Sequence, residues 1–332
     1  MRDSRAVRIG MCLAAAVAWA DSSSGPKAFA QTAYPNQSIT VIVPYAAGGA
    51  GDVVLRAVSE PMEAKLGQKL IVMARPGAGG NLGAQAVATA APDGYTLLLG
   101  ATNNFVTNQF LFPSMTFDPL AEFVPVAKIA DVPSVIFTHP STPAKTLPEF
   151  IAYAKANPGK LNFGSPSFGT TPHLAVERLK LMAGIDMVHV PFQGAPPAVQ
   201  GLLRNDIQLY LGGVAVGAGH IEAGTVKPLA VSSVTRLAAL PNVPTISESG
   251  VGEFGASNWW LLAAPKGTPG GIVDRLAKAV DAALGDKGVQ ERYAKFGFVG
   301  GTTDAARISA ELKSEAKAWG DVIAKAGIKL PK

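Results

Sequence analysis

Strand-like and helix-like segments alternate along most of this chain, and that alternation limits the fold more than any other sequence feature. Residues 38–45 are rich in β-branched side chains, residues 52–66 repeat apolar side chains at helical spacing, and residues 70–74 are again strand-like. This order is typical of a parallel sheet covered by helices. The pattern predicts further strands at 96–100, 134–138, 161–164, 187–190, 207–211, 228–232 and 259–264, and helices at 81–90, 147–157, 172–182, 197–205, 216–222, 269–284 and 304–326. We therefore expect an α/β protein whose mixed sheets are flanked by helices.

The length of 332 residues is enough for about two domains, each with its own core. Proline-rich crossings that suggest domain boundaries occur at 117–119, 124–125, 132–133 and 240–244. We expect a second lobe at 131–234, and a discontinuous first lobe at 31–130 plus 235–332. Because the chain would then pass between the lobes twice, the two crossings would form a hinge.

The first thirty residues have the features of an export signal. Three arginines within the first eight positions precede an apolar segment at 9–20, and Ala28-Phe29-Ala30 offers small residues before Gln31. This order predicts cleavage near Ala30/Gln31 and an exported protein; the alternative is a short N-terminal helix. Since no apolar run approaches the roughly 18 residues of a spanning helix, the sequence argues against an integral membrane protein.

Cysteine usage and charge exclude two further classes. Cys12 is the only cysteine and would leave with the signal, so the remaining chain could form neither a disulfide nor a thiolate metal site. Without the leader, 25 basic and 22 acidic residues give a net charge of +3, with no two basic residues adjacent. This distribution is unlike a nucleic-acid-binding surface, although a slightly cationic protein attracts small anions.

Four strand-to-helix turns are rich in glycine, small residues and hydroxyls. They lie at 44–52, 75–81, 164–171 and 192–196. Glycine permits positive φ, which lets consecutive backbone N–H groups point at an anion just before a helix begins. Because ligands of open α/β sheets bind beyond the carboxyl ends of the strands, the four turns are expected to face one cleft that binds a small anion. The alternative for any one turn is a tight connection and nothing more.

Other motifs leave weaker alternatives. Leu82 stands where a dinucleotide-binding glycine motif needs glycine, and no nucleotide phosphate-binding loop occurs. Ser165-Pro166-Ser167-Phe168-Gly169 resembles a nucleophile elbow without its first glycine, which leaves a serine hydrolase using Ser167 as a rival function. The histidines are not spaced as metal ligands, and the Trp259-Trp260 pair is interpreted as packing.

Several short motifs, in order and spacing, carry a resemblance that covers residues 34–328. They are Tyr34-Pro35, Ile42-Val43-Pro44-Tyr45 with Gly48-Gly49 and Asp52, Arg75-Pro76-Gly77-Ala78-Gly79-Gly80-Asn81, Asp93-Gly94-Tyr95-Thr96-Leu97, Pro158-Gly159-Lys160-Leu161-Asn162, His189-Val190-Pro191-Phe192 and Ala239-Leu240-Pro241-Asn242-Val243-Pro244-Thr245. Together they resemble the tripartite tricarboxylate transporter receptor (Bug) family. The resemblance implies a two-lobed periplasmic binding protein of the Venus flytrap type, with its ligand in the interlobe cleft.

The resemblance also implies a function and a set of ligand contacts. It implies a monomeric receptor for a small carboxylate that serves inner-membrane permease subunits, without a catalytic site, a metal or a cofactor; an orphan sensor of the same ligand is the alternative. Carried over by position, the ligand-binding residues would be Tyr45, Gly48, Gly49, Gly51, Asp52, Gly80, Asn81, Ser165, Gly169 and Thr170, with Phe168 added as an aromatic part of the cleft wall.

One departure from the family pattern bears on the ligand. Gly212-Gly213 stands where many members carry an acidic residue followed by serine or asparagine. An ammonium group would lose its partner there, so the expected ligand is a carboxylate without an amino group, either an aliphatic dicarboxylate or an aromatic acid.

Overall fold

The computed structural model describes residues 34–329; the proposed leader and its cleavage position lie outside them. The strands are β1 (Ile39–Val43), β2 (Leu70–Ala74), β3 (Thr96–Ala101), β4 (Phe123–Thr138), β5 (Asn162–Ser165), β6 (Val188–Pro191), β7 (Leu209–Gly213), β8 (Lys227–Val231), β9 (Ser257–Pro265) and β10 (Val299–Thr302). The helices are α1 (Ala50–Leu66), α2 (Asn81–Ala88), α3 (Thr102–Phe105), α4 (Asn108–Leu111), α5 (Leu147–Ala156), α6 (Thr171–Ala183), α7 (Ala195–Leu203), α8 (Val214–Glu222), α9 (Gly270–Leu284), α10 (Lys287–Phe296) and α11 (Ala305–Ala326). Within this part of the chain, every helix is too short or too polar to cross a bilayer.

The strands follow the order β2-β1-β3-β9-β4-β7-β5-β6, and β8 and β10 also pair with β4. In the first half, β1 is parallel to β2 and β3, while β9 runs antiparallel to β3. In the second half, β5 is parallel to β6 and β7. The sixteen-residue β4 joins the halves, because its residues 123–133 pair with β9 and its residues 134–138 pair with β7 and β8. The fold is therefore α/β and two-lobed, as the sequence predicts.

Each half of the sheet has its own apolar core. Val41, Leu97 and Leu262 belong to the core of the first half, and Phe163 and Leu211 to that of the second. The second half also buries residues that follow β8, namely Leu237, Val243, Ile246 and Phe254. The lobe boundaries expected from the sequence stay a prediction, and this packing favours a return crossing near residue 257 rather than 235.

Ser232 ties together the two segments that pass between the halves. Its hydroxyl accepts a hydrogen bond from the backbone N–H of Ser134 at 3.0 Å and donates one to the carbonyl of Ala256 at 2.7 Å. Its backbone N–H and carbonyl bond the same two residues, at 2.7 and 3.0 Å. These four bonds fix the spacing of the crossing strands, and Ser134 lies at the edge of the cleft described below.

Five elements were not expected from the sequence. The first half of β4 contains Pro125 and Pro133, which favour a loop; the register of β4 shifts between Pro125 and Ala127, an irregularity that accommodates a residue without an N–H donor. Helix α3 is made of polar Thr102, Asn103 and Asn104, which lack an apolar period. Helix α4 and the glycine-rich β10 were missed because each has four residues. Helix α10 was missed because only Val289 and Tyr293 of its ten residues are buried, which leaves a weak apolar period.

Candidate functional site

A cleft lies between the two halves of the sheet, with a cavity volume of about 40 Å³ for a water-sized molecule. Its lining comes from strand ends and from the crossing segments: Tyr45, Gly49, Ala50, Ala101, Asn103, Asn258 and Trp260 on the first half, and Ser134, Pro166, Thr170, Pro172, Ala195, Tyr210, Gly212, Gly213 and Val216 on the second. The carboxyl ends of β1, β3, β5 and β7 all contribute, which is where α/β sheets bind ligands. None of these lining residues is charged.

Three of the lining residues carry a buried polar atom that has no hydrogen-bond partner among residues 34–329. They are the Tyr210 hydroxyl, the Asn258 Oδ1 and the Trp260 Nε1. A buried polar group without a partner costs free energy, and native proteins leave few of them. Tyrosine and tryptophan offer O–H and N–H donors, so two of the three unpartnered groups suit an anion.

Trp260 is held from both sides. Its ring meets that of Tyr45 edge-on, with centroids 5.7 Å apart. Its six-membered ring lies against Gly51, where a Cβ would come within 2.4 Å of Cζ3. Glycine is therefore required at position 51 because the indole ring of Trp260 occupies the space of a side chain there.

The cleft is also where four helices begin. Gly49 and Ala50 lie at the start of α1, Thr170 and Pro172 at the start of α6, Ala195 at the start of α7 and Gly213 at the start of α8, and none of these helices has a side-chain cap. Helices α5, α10 and α11, away from the cleft, are capped by Thr146, Asp286 and Asp304, but α2, α4 and α9 are uncapped and also lie away from it, so the missing caps alone do not mark the cleft. Helix N-termini carry partial positive charge, so the first group favours an anion in the cleft.

The expected nest of free N–H groups in the first turn is partly wrong. The Gly48 N–H donates to Asp52 Oδ2 at 3.2 Å, and the Gly49 N–H donates to the Ala46 carbonyl at 3.3 Å. Asp52 also pairs with Arg56 through Oδ1 at 3.0 Å. Both donors are used inside the turn, the Gly48 N–H by the carboxylate of the following helix and the Gly49 N–H by a carbonyl of the turn itself. Tyr45 and Gly49 line the cleft, whereas Gly48 and Asp52 do not.

Gly80 and Asn81, expected to contact the ligand, belong instead to a supporting layer beneath the cleft. The Gly79 carbonyl accepts from Asn103 Nδ2 at 2.8 Å and from Asn108 Nδ2 at 3.0 Å. Asn108 also donates to Asn81 Oδ1 at 2.6 Å, and the Gly80 N–H bonds the Gly77 carbonyl. We call Asn81, Asn103, Asn104 and Asn108 the asparagine cluster. Its contact with the cleft is through Asn103, which accepts from the Tyr45 hydroxyl at 2.6 Å.

The second-half loop brings Thr170 to the cleft and keeps Ser165 beneath it. Ser165 is fully buried; its hydroxyl donates to the Ser167 carbonyl at 2.8 Å and lies 2.7 Å from His189 Nε2. Because a hydroxyl has one proton, the Ser165 oxygen is the acceptor of the His189 N–H. The Thr170 hydroxyl donates to the same Ser167 carbonyl at 2.7 Å. These bonds shape the loop and leave His189 unable to act as a base toward Ser165.

Two stacked histidines support this loop from below. The rings of His173 and His189 lie 3.8 Å apart and nearly parallel, and His173 Nδ1 accepts from the Gly169 N–H at 3.1 Å. Burial, with a smaller contribution from Lys180, lowers the pKa of His189 to about 4. Burial and the neighbouring His189 lower the pKa of His173 further still. Both rings are therefore neutral at pH 7, and Ser167, the proposed nucleophile, has no histidine bonded to its hydroxyl among the described contacts.

Phe168 and Gly169 contact the other half of the protein rather than the cleft. The Phe168 ring is buried and meets Phe112 edge-on at 6.1 Å, and the Gly169 carbonyl accepts from the Thr107 hydroxyl at 2.8 Å. The ring therefore joins the two halves, and the expectation that Phe168 adds aromatic surface to the cleft wall stays a prediction.

Comparison with known proteins gives a consistent result. Residues 54–328 match the family described as tripartite tricarboxylate transporter family receptor. The chain belongs to that family. Among solved structures, the periplasmic binding protein BugD is 33% identical, with a TM-score of 0.85 over 90% of this chain and 100% of BugD. The R. palustris protein Rpa4515, solved with adipate, is 31% identical with a TM-score of 0.87, covering 90% of this chain and all of that one. MatC from Rhodopseudomonas palustris, solved with malate, is 31% identical with a TM-score of 0.82, covering 87% and 100%.

The sequence prediction for this receptor missed Tyr210, Asn258 and Trp260. Tyr210 lies between two leucines in a strand that is apolar throughout, so nothing marks its hydroxyl as unpartnered. The sequence did indicate a difference between the two tryptophans. Adjacent residues of a strand point to opposite faces, so Trp259 and Trp260 must have different surroundings. Trp259 Nε1 donates to both carboxylate oxygens of Glu315 at 3.0 Å, whereas Trp260 faces the cleft without a partner.

Proposed function

We propose that this protein is a periplasmic receptor that captures a small carboxylate in the cleft and closes around it. The observation that carries the proposal is an uncharged cleft in which the N–H of Trp260 and the O–H of Tyr210 have no partner at the point where four helices begin. Neutral donors and helix N-termini stabilise an anion without burying a lysine or arginine, whose desolvation would cost several kcal/mol. A carboxylate supplies the acceptors that these donors lack.

The ligand we propose is a dicarboxylate without an amino group. Adipate and malate in the related structures are acids of this kind. No aspartate or glutamate is among the residues that line the cleft, so an ammonium group would have no ionic partner there. The alternative of an aromatic acid loses the support that Phe168 would have given it.

We propose that the contacts come from three parts of the cleft. Trp260 and Asn258 bind from the first half, Tyr210 and Thr170 bind from the second, and Tyr45 and Gly49 form the floor beside α1. Gly48, Gly51, Asp52, Gly80, Asn81, Ser165, Phe168 and Gly169, expected from the sequence to contact the ligand, are proposed to shape and support the cleft instead.

Closure follows from the placement of these contacts. Binding favours a closed form only through affinity that the open form lacks, so both lobes must hold the same ligand. The sequence places lobe 1 at 31–130 plus 235–332 and lobe 2 at 131–234. We propose to extend lobe 2 to about residue 256, because Leu237, Val243, Ile246 and Phe254 pack in the cores of the second half. Ser232 is then the point about which the crossing strands bend.

The remaining steps are proposed from the sequence and the family. Export with cleavage before Gln31 puts the receptor in the periplasm, where it acts as a monomer and delivers its ligand to the membrane subunits of a tripartite transporter. We propose no enzyme activity, because the hydroxyl of Ser165 accepts from His189 and that of Ser167 is not bonded to a histidine.

The decisive experiment is isothermal titration calorimetry and thermal shift on the purified protein, stripped of co-purified ligand, against a panel of acids. The panel contains succinate, glutarate, adipate, malate, citrate, benzoate, aspartate and glutamate. A dicarboxylate at about 100 times its Kd should stabilise the protein by roughly 2.7 kcal/mol. The absence of any shift or heat with every acid would reject a carboxylate receptor. N-terminal sequencing of protein from a periplasmic extract tests the cleavage, and a start other than Gln31 would contradict it.

A further inference from the structure

Tyr210 and Gly212 form a pair on β7. Side chains two residues apart in a strand share one face of the sheet. A Cβ at position 212 would lie 2.3 Å from Cε1 of Tyr210 and 2.6 Å from its Cζ and its hydroxyl oxygen. The tyrosine ring therefore fills the space that a side chain at position 212 would need, and only glycine leaves room for it.

The ring of Tyr210 is fixed, whereas its hydroxyl has no hydrogen-bond partner within residues 34–329. The ring is fully buried and stacks on Phe137, with centroids 6.3 Å apart and planes 16° from parallel. Burial raises the pKa of the hydroxyl above its usual range, so it stays protonated at neutral pH and can donate. A rigid donor at the cleft, without an acceptor among the described residues, is prepared for an acceptor on the ligand.

We propose that Tyr210 is the specificity-determining residue of the second lobe, donating its hydroxyl proton to a carboxylate oxygen of the ligand, while Gly212 leaves the space that the Tyr210 ring occupies. The inference rests on the proposed function, since it names which acids the same cleft selects. It assigns the choice of ligand to residues 210 and 212 rather than to the glycine-rich turns.

Electrostatics explain the selection against amino acids. The helix N-termini that favour an anion disfavour a cation at the same place. Asn258 Oδ1 is a free acceptor, but it is neutral, so it can take a hydrogen bond and cannot offset the charge of a desolvated ammonium group. An acid with an α-amino group should therefore bind less tightly than the acid of the same carbon number without one.

Titration calorimetry with Tyr210→Phe tests the proposal against two matched pairs, succinate with aspartate and glutarate with glutamate. The wild type should bind the better of the two unaminated acids at least ten times more tightly than its amino partner. Tyr210→Phe should weaken binding of that acid by roughly 10- to 100-fold, the usual loss for a hydrogen bond to a charged group. Its Tm without ligand should stay the same or rise, because the substitution removes a buried hydroxyl that has no partner.

Tyr293→Phe is the matched control. The Tyr293 hydroxyl is buried away from the cleft and donates to the Ile129 carbonyl at 2.9 Å, so its removal should lower Tm and leave the Kd within about twofold. If the wild type binds an acid and Tyr210→Phe binds it equally well, the role of Tyr210 is refuted and the receptor function stands. Tighter binding of aspartate or glutamate also refutes it. If the wild type binds neither pair but binds another acid of the larger panel, that acid replaces succinate and glutarate in the Tyr210→Phe test. If the wild type binds no acid of that panel, both the function and the inference are overturned.

Discussion

The asparagine cluster and the cleft are neighbouring regions that treat buried polar groups in opposite ways. Beneath Gly79, Asn103 and Asn108 use their amide groups within the protein, and the Gly79 carbonyl receives at least two donors. In the cleft, Tyr210 and Trp260 are buried as deeply but lack partners. A satisfied network contributes to stability and to a fixed geometry, whereas an unsatisfied donor costs stability until a ligand binds. The asparagine cluster therefore supports the structure, and the cleft is the region prepared to bind a ligand.

The stacked histidines His173 and His189 also support the cleft. Their titration gives the largest predicted change in the free energy of unfolding. With folded pKa values below the ordinary 6.5, their stabilising contribution is complete above pH 6.5 and is lost as the pH falls toward 4. We expect the free energy of unfolding to fall by about 3 kcal/mol between pH 7 and pH 5. Glu177, whose carboxylate lies 3.9 Å from His173 Nε2, pairs with Lys180 at 3.1 Å and offsets little of this loss.

Urea unfolding at a series of pH values measures this dependence. His189→Gln keeps an N–H donor for Ser165 and removes one titrating group, so the slope of stability against pH should fall by about half. His220→Gln, which alters a half-buried histidine bonded to Thr225 and outside the stacked pair, is the control variant. An unchanged slope in His189→Gln would show that the pair does not control acid stability.

Asn108→Leu removes one member of the asparagine cluster. It leaves Asn81 Oδ1 without its 2.6 Å donor and takes one donor from Gly79, so we expect a loss of about 2.5 kcal/mol in the free energy of unfolding. Because Asn108 does not line the cleft, the ligand Kd should change by less than threefold. Asn242→Leu, at an exposed position, should change neither quantity. A large loss of affinity with unchanged stability would place Asn108 in the binding site and break the comparison.

The tryptophan pair sharpens the comparison on a single strand. Trp260→Phe removes the unpartnered donor and keeps an aromatic ring, so affinity for the carboxylate should fall roughly 30-fold, or about 2 kcal/mol, with little loss of stability. Trp259→Phe removes the donor to Glu315, whose pKa burial already raises, and should lower stability while the Kd stays within about twofold. Titration calorimetry and Tm measurements on both variants decide the outcome. If Trp259→Phe lowered affinity and Trp260→Phe lowered stability, Trp259 would be the ligand contact and Trp260 the structural residue.

These examples show where sequence reasoning succeeds for this receptor. The alternation of periods fixes β1, α1 and β2 to within a few residues, because β-branched runs and helical spacing are local properties. The cleft at the strand ends follows from the α/β order. The sequence does not reveal that the Tyr210 hydroxyl lacks a partner. That depends on what surrounds the side chain after residues more than a hundred positions apart have packed. The glycines, expected to present backbone N–H groups to an anion, have different roles. Gly51 and Gly212 make room for an aromatic ring, whereas the N–H of Gly48 is used within the turn.

Asp52→Asn has the smallest expected effect on stability and affinity. It tests whether the Gly48 turn supports the cleft or contacts the ligand. The substituted amide oxygen can still accept from Gly48, but the pair with the exposed Arg56 is lost, so stability should fall by less than about 1 kcal/mol. Asp52 is the acidic residue in the first turn of α1, and its removal leaves the partial positive charge of that helix less neutralised beside the cleft. Carboxylate affinity should therefore stay the same or rise by two- to threefold in calorimetry at low salt. Arg56→Ala, which breaks the same pair and keeps the carboxylate, should lower stability equally without raising affinity. A tenfold loss of affinity in Asp52→Asn would instead return Asp52 to the ligand contacts, because only a direct bond to the ligand could outweigh the gain in positive potential.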